Sequence, residues 1–130
     1  MVYNFNIEVP QDGSVATSQA TRLKLTAGVI HQVEVYFPAG CAGLVHCHIN
    51  DGLYQVWPSN PDDNMFGDDS LFSFEEDYEL DTDPYELTVY AWNEDDTYNH
   101  TIRVSLGILP RSVIYPWSER ALMYEQLRGF

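Results

Sequence analysis

The stretch 85–109 constrains the fold more than any other part of the chain. It reads YELTVYAWN, then EDDTYN, then HTIRVSLGIL. In the first arm Leu87, Val89 and Ala91 alternate with Thr88, Tyr90 and Trp92. In the second, Ile102, Val104, Leu106 and Ile108 alternate with Thr101, Arg103, Ser105 and Gly107. Period-two alternation of β-branched and aromatic residues describes strands with one buried face. Two such arms around a short Asn/Asp-rich connection predict an antiparallel hairpin. A lone hairpin is marginal in water, so this one requires neighbours.

Neighbours are supplied along the whole chain. Tyr3, Phe5, Ile7 and Val9 share one face of a first strand, ended by Pro10 and Gln11-Asp12-Gly13. A short strand is expected over 22–26 and a long one over 29–37, with Val29, His31, Val33, Val35 and Phe37 on one face. Segments 44–49 and 53–57 flank Asn50-Asp51-Gly52, a strong hairpin signal. Pro58 to Asp69 reads as loop, and 71–80 as one interrupted or bulged strand. About eight strands at this spacing, with no βαβ rhythm, predict an all-β chain. The expected architecture is a single antiparallel β-sandwich of jelly-roll or immunoglobulin-like type over residues 1–110, with a short C-terminal helical tail over 111–130.

The tail differs in character. Ser118-Glu119 can cap a short helix and Gly129 can end it. A helix this short is marginal alone, so it must dock. Its contact residues are expected to be Trp117, Leu122, Met123, Tyr124, Leu127 and Phe130. It either closes an open end of its own sandwich or inserts into a neighbouring subunit.

Charge excludes some classes of function. Six Lys and Arg stand against twenty Asp and Glu, and no cation occurs between Lys24 and Arg103. Such a field repels phosphate backbones, so nucleic acid is not an expected partner. No apolar run has the length of a membrane span, and MVYNFNIEVP lacks the basic start and apolar block of a secretory signal. Cys41 and Cys47, six apart, could be bridged by strand geometry, but the missing signal favours free thiols, and Asn99-His100-Thr101 is a glycosylation sequon that the same absence leaves unused.

Chemistry-bearing residues are few. His46 and His48 lie two apart on a strand, so both imidazoles can face one metal ion. Gly40 with His46-Cys47-His48 resembles the opening of the cupin motif, but Gly52 and Leu53 stand where its glutamate belongs, and its second motif has no counterpart. His31, Asp51 or His100 would have to complete the ligand set. The competing reading puts Val45, Cys47 and Ile49 in the core and both histidines outside. Cys41 with His46 or His48 has no local signature of a nucleophilic triad. Asp62-Asp63-Asn64 with Asp68-Asp69, or Asp81 with Asp83, offers oxygen ligands for calcium without the EF-hand spacing. Tyr36, Tyr54, Tyr90 and Trp92 fall opposite the aliphatic positions, forming either a second buried face or a surface for sugars or protein. No constellation for catalysis or a cofactor emerges, and the expectation is a non-enzyme.

The run FPAGCAGLVHCHI…DGLYQVWP…ELTVYAWN…HTIRVSLGILP, with its docking tail, resembles the small auxiliary β-sandwich proteins that decorate virus and tailed-phage capsids. The resemblance implies a virion component assembled in the host cytoplasm. It would bind capsid or scaffold subunits, or copies of itself as a homo-oligomer. The alternative is a carbohydrate-binding or adhesion sandwich.

Overall fold

The computed structural model describes residues 1–114. Nine strands run β1 (Val2–Val9), β2 (Gln19–Lys24), β3 (Gly28–Phe37), β4 (Val45–Asp51), β5 (Tyr54–Trp57), β6 (Met65–Phe66), β7 (Ser70–Leu80), β8 (Glu86–Asn93) and β9 (His100–Leu109). A 3-10 turn (Val15–Thr17) lies between β1 and β2, and a single helical turn, α1 (Arg111–Ile114), follows β9. The helix expected around Ser118, and the contact residues Trp117, Leu122, Met123, Tyr124, Leu127 and Phe130, lie outside the described residues.

The strands form two antiparallel sheets, a β-sandwich. One has the order β1-β9-β3-β7; the other has β2-β8-β4-β5, with β6 also pairing β4. The register reveals one organising pattern. Val2 lies opposite Gly107, Gln19 opposite Ala91, Gly28 opposite Leu80 and Asp51 opposite Tyr54. Partners approach each other in sequence by nearly equal steps, so residues 2–107 form one long hairpin. Its tip is the loop Gly52-Leu53. A second ladder, Val29 with Leu109 and Val45 with Asn93, rolls that hairpin upon itself.

The roll overturns the hairpin expected between 85–93 and 100–109. β8 lies in the second sheet between β2 and β4, while β9 lies in the first between β1 and β3. Alternation identified both strands correctly but could not identify their partners. The six-residue connection is held away from a tight turn by Asn93, which is fully buried. Its Nδ2 donates to Val9 O at 3.2 Å and Tyr98 O at 2.8 Å, and its Oδ1 accepts Asp95 N. Gly13 N donates to Asn93 O and Asp12 N to Asp95 O, pinning the connection to the loop after β1.

The Asp51-Gly52 signal marks a real hairpin, shifted by one position. Its loop is Gly52-Leu53, and Gly52 supplies the positive φ of +60°. That places glycine first, as a type II′ turn requires.

The core is filled from both inner faces. Val33, Val35, Val45, Cys47, Ile49, Leu87, Val89, Ala91, Ile102, Val104 and Leu106 are all at 0% exposure. β3 departs from simple alternation through a bulge between Ile30 and Gln32. Val29 and Ile30 are both buried, whereas His31 leaves the face on which alternation placed it. A Cβ at Gly107 would sit 3.0 Å from His31 Nε2, so glycine opposite gives the displaced ring room.

Asn93→Ala strands Val9 O, Tyr98 O and Asp95 N. The expected loss is roughly 2–3 kcal/mol, lowering Tm by on the order of 10 °C in a circular-dichroism melt. An unchanged Tm would show that the pin is dispensable.

Candidate functional site

The outer face of the second sheet carries a run of rings. Register sets His46 beside Trp92 and Phe66, and His48 beside Tyr90. His46 stacks on Trp92 with centroids 5.3 Å apart and planes 9° off parallel, and Phe66 packs on its other side at 5.2 Å. His48 stacks on Tyr90 at 5.3 Å and meets Trp92 edge-on at 6.1 Å. The rings therefore occupy one another's faces. Trp92 is only 4% exposed although it points away from the core, and its Nε1 has no hydrogen-bond partner among the described residues. Of the aromatics singled out in the sequence, only Tyr54, at 66%, is widely exposed; Tyr36 is half-buried and its phenol donates to Asp69.

His46 and His48 do share a face, and it is the outer one. His46 Nδ1 lies 2.7 Å from Asn64 Oδ1, and its Nε2 lies 3.4 Å from Glu94. His48 Nδ1 lies 2.7 Å from Asn50 Oδ1. His31 sits in the β3 bulge of the other sheet, and His100 is paired with Asp95 at 2.8 Å. Asp51 accepts the Tyr78 hydroxyl at 2.6 Å. The four histidines are thus divided among three environments. No group of three or more His, Cys, Asp or Glu is arranged to hold a metal among the described residues.

Cys41 and Cys47 are both free and buried. Burial pushes the Cys47 thiol up to about 12. Burial, reinforced by Asp68 and Asp95, pushes Cys41 up to about 11. A thiol held protonated at neutral pH is a poor nucleophile. The sequon side chain is also occupied: Asn99 Nδ2 donates to Glu8, and its Oδ1 accepts Gln11 N.

The acid-rich turns use their carboxylates locally. Asp68 Oδ1 accepts the amides of Gly40 and Ala42, each at 2.9 Å, which ties the loop after β3 to the turn before β7. Asp63 accepts from Asn60 Nδ2 and Asn64 N. Asp81 accepts the Thr82 hydroxyl. Asp63 and Asp81 serve their own turns, the arrangement expected of turn-forming Asp, whereas Asp68 and Asp69 reach across to the loop after β3 and to Tyr36.

The site that sequence patterns missed lies where the two sheet edges meet. Trp57 from β5 packs edge-on against Phe74 and Tyr78 of β7, with centroids 6.2 and 5.6 Å apart. Trp57 Nε1 donates to Glu76 at 2.8 Å. Burial, then the bond to Asp51, drives the Tyr78 phenol well above its usual range. Beside this closure runs a groove of about 600 Å³, floored by Trp57, Met65, Phe72 and Phe74 and rimmed by Asp63 and Glu76. Phe66 forms part of its wall and is 52% exposed. The sequence marked 71–80 as a strand; the meeting of that strand with Trp57 was not marked. A second cleft, of about 720 Å³, is lined by Arg22 with Asp51, Glu79, Asp81, Asp83 and Glu86. No helix among the described residues is long and apolar enough to cross a membrane.

The Asp95 carboxyl is held below its ordinary 3.8, first by the His100 bond and then by Thr97 N. Asp68 is held below 3.8 by the Ala42 and Gly40 amides. A depressed folded value stabilises above the unfolded value and is lost as pH falls through the folded one. Tm is therefore expected to be level near neutrality and to decline below about pH 4, less steeply in Asp95→Asn. Identical profiles for the two proteins would contradict this assignment. Comparison with models of known families, with curated proteins and with solved structures finds no match.

Proposed function

We propose that the chain is a non-catalytic assembly protein built as a jelly roll. It would act as a virion component, decorating or supporting a capsid, and bind capsid subunits or copies of itself. The rolled hairpin supports the fold reading: its outer arms pair β1 with β9, β2 with β8 and β3 with β7, and the strands alternate between the sheets from β1 to β4 and again from β6 to β9. Jelly rolls serve viral capsids, lectins and cupins alike, so the choice among these rests on surfaces and sites.

The observation that carries the assembly reading is the filled interior. A cupin-like centre on His46 and His48 would need both rings turned inward. Here Cys47, between them, occupies the inner face at 0% exposure, and the imidazoles lie outside on Asn64 and Asn50. Sugar stacking needs a free aromatic face; Trp92 is 4% exposed, and Trp92 and Tyr90 each give one face to a histidine, which leaves Tyr54 as the widely exposed ring among those singled out. What remains is a rigid acidic body with exposed sheet edges, together with an apolar segment after Pro110. Edges and arms are natural docking elements, and repeated copies associate through them symmetrically.

Sedimentation of the full chain should reveal an oligomer, and a chain ending at Pro110 should remain folded but sediment as a monomer. A monomeric full chain that fails to bind any capsid subunit would remove this reading.

A further inference from the structure

We propose that the groove between β6 and β7 is the seat of this chain's own segment 115–130. Three independent features of the molecule converge on that occupant.

The first is the receptor. Among the described residues β7 is hydrogen-bonded on one side only, to β3. No strand among the described residues pairs the other side along Ser70–Leu80, where Asp77 N bonds the Glu76 carboxylate, and an edge strand of this kind is a template for an added strand. Directly beside it lies the apolar floor of Trp57, Met65, Phe72 and Phe74. Phe66, 52% exposed, extends this apolar surface along the wall. The surround is anionic: Asp63 and Glu76 rim the groove, and Glu75, Asp77 and Glu79 project outward from β7. A matching ligand is apolar, extended and no longer acidic.

The second is charge. Residues 111–130 hold three of the six cations (Arg111, Arg120, Arg128) and two of the twenty acids (Glu119, Glu125), a net charge of +1. The remaining three cations and eighteen acids leave residues 1–110 at −15. The same segment carries the apolar side chains Trp117, Leu122, Met123, Tyr124, Leu127 and Phe130.

The third is position. Arg111 Nη1 lies 2.8 Å from Glu79 Oε2, so the chain leaves the body beside the C-terminal end of β7. Sixteen further residues can span up to about 50 Å when extended, against about 36 Å for the eleven residues of β7. The segment reaches the groove of its own body from there, and from a neighbouring copy it reaches the equivalent groove.

The test is a cysteine pair in the full chain. Ser59 lines the groove and is exposed, and the native Cys41 and Cys47 are buried out of reach. Ser59→Cys combined in turn with Tyr124→Cys, Leu127→Cys and Phe130→Cys is expected to give a disulfide on mild oxidation. Val2→Cys, at an exposed position in the other sheet, should give none with the same partners. Equal yield from Val2 and Ser59, or no disulfide from any Ser59 pair, overturns the proposal. In a second measurement Phe66→Lys, which adds a cation to the wall, should speed trypsin cleavage after Arg120 about tenfold by raising the undocked population. An unchanged rate counts against the seat. The size of the cross-linked product separates this inference from the assembly reading. A monomer-sized product keeps the seat but removes assembly through the segment, and an oligomer that yields no Ser59 disulfide removes the seat alone.

Discussion

The pairing of the chain's two distant ends is the constraint on which the sandwich depends. β9 is central in its sheet because β1 covers one edge and β3 the other. Until Val2 meets Gly107, and Val29 meets Leu109, Ile102 through Ile108 have no completed sheet around them. No local contact substitutes for this, since among the described residues the only tight turn joining paired strands is at Gly52-Leu53, far from both ends. Most of the ladder is thus non-local, a topology in which closure entropy is spent before contacts compensate it. Asn93 is positioned at the point of greatest risk. It joins the end of β8 to the last residue of β1, so the crossover between sheets and the pairing of the ends are fixed by one side chain.

Much of this was legible, and for a definite reason. Burial alternation is a property of single strands, and the inward faces of β1, β4, β8 and β9 follow directly from Ile7 and Val9, Val45 to Ile49, Leu87 to Ala91, and Ile102 to Ile108. Partner choice is a property of pairs, and the two arms around EDDTYN satisfy the alternation rule equally well as a hairpin or as strands of facing sheets. The bulge at His31 was hidden for a related reason: against β9 a single inserted residue changes which face each position takes, and nothing in GVIHQVEVYF marks the insertion. At the chemically suggestive positions, the residue between the histidines was the informative one. Cys47 inward forces His46 and His48 outward, whatever their affinity for metal.

The groove could not be read at all, because no single element contains it. Trp57 ends β5, Met65 and Phe66 form the two-residue β6, and Phe72 and Phe74 belong to β7. Its floor exists only once the edges of two different sheets are brought together by Glu76 on Trp57 and Tyr78 on Asp51. Those two bonds satisfy polar groups at an otherwise apolar closure, so the edges are locked without filling the space beside them.

The acidic face of β7 then acquires a meaning that composition alone did not supply. A long edge strand with an unpaired ladder is a hazard, since identical copies can pair edge to edge. Antiparallel pairing of two β7 strands would bring Glu75, Asp77 and Glu79 of one copy against the same residues of the other, and like charges across a strand pair destabilise it. The penalty falls on symmetric self-pairing and is absent for an arginine-bearing, nearly neutral segment. The same carboxylates that keep the edge from its own image therefore leave it open to one kind of visitor, and the uneven distribution of charge along the chain becomes a rule about which contacts its copies are permitted to make.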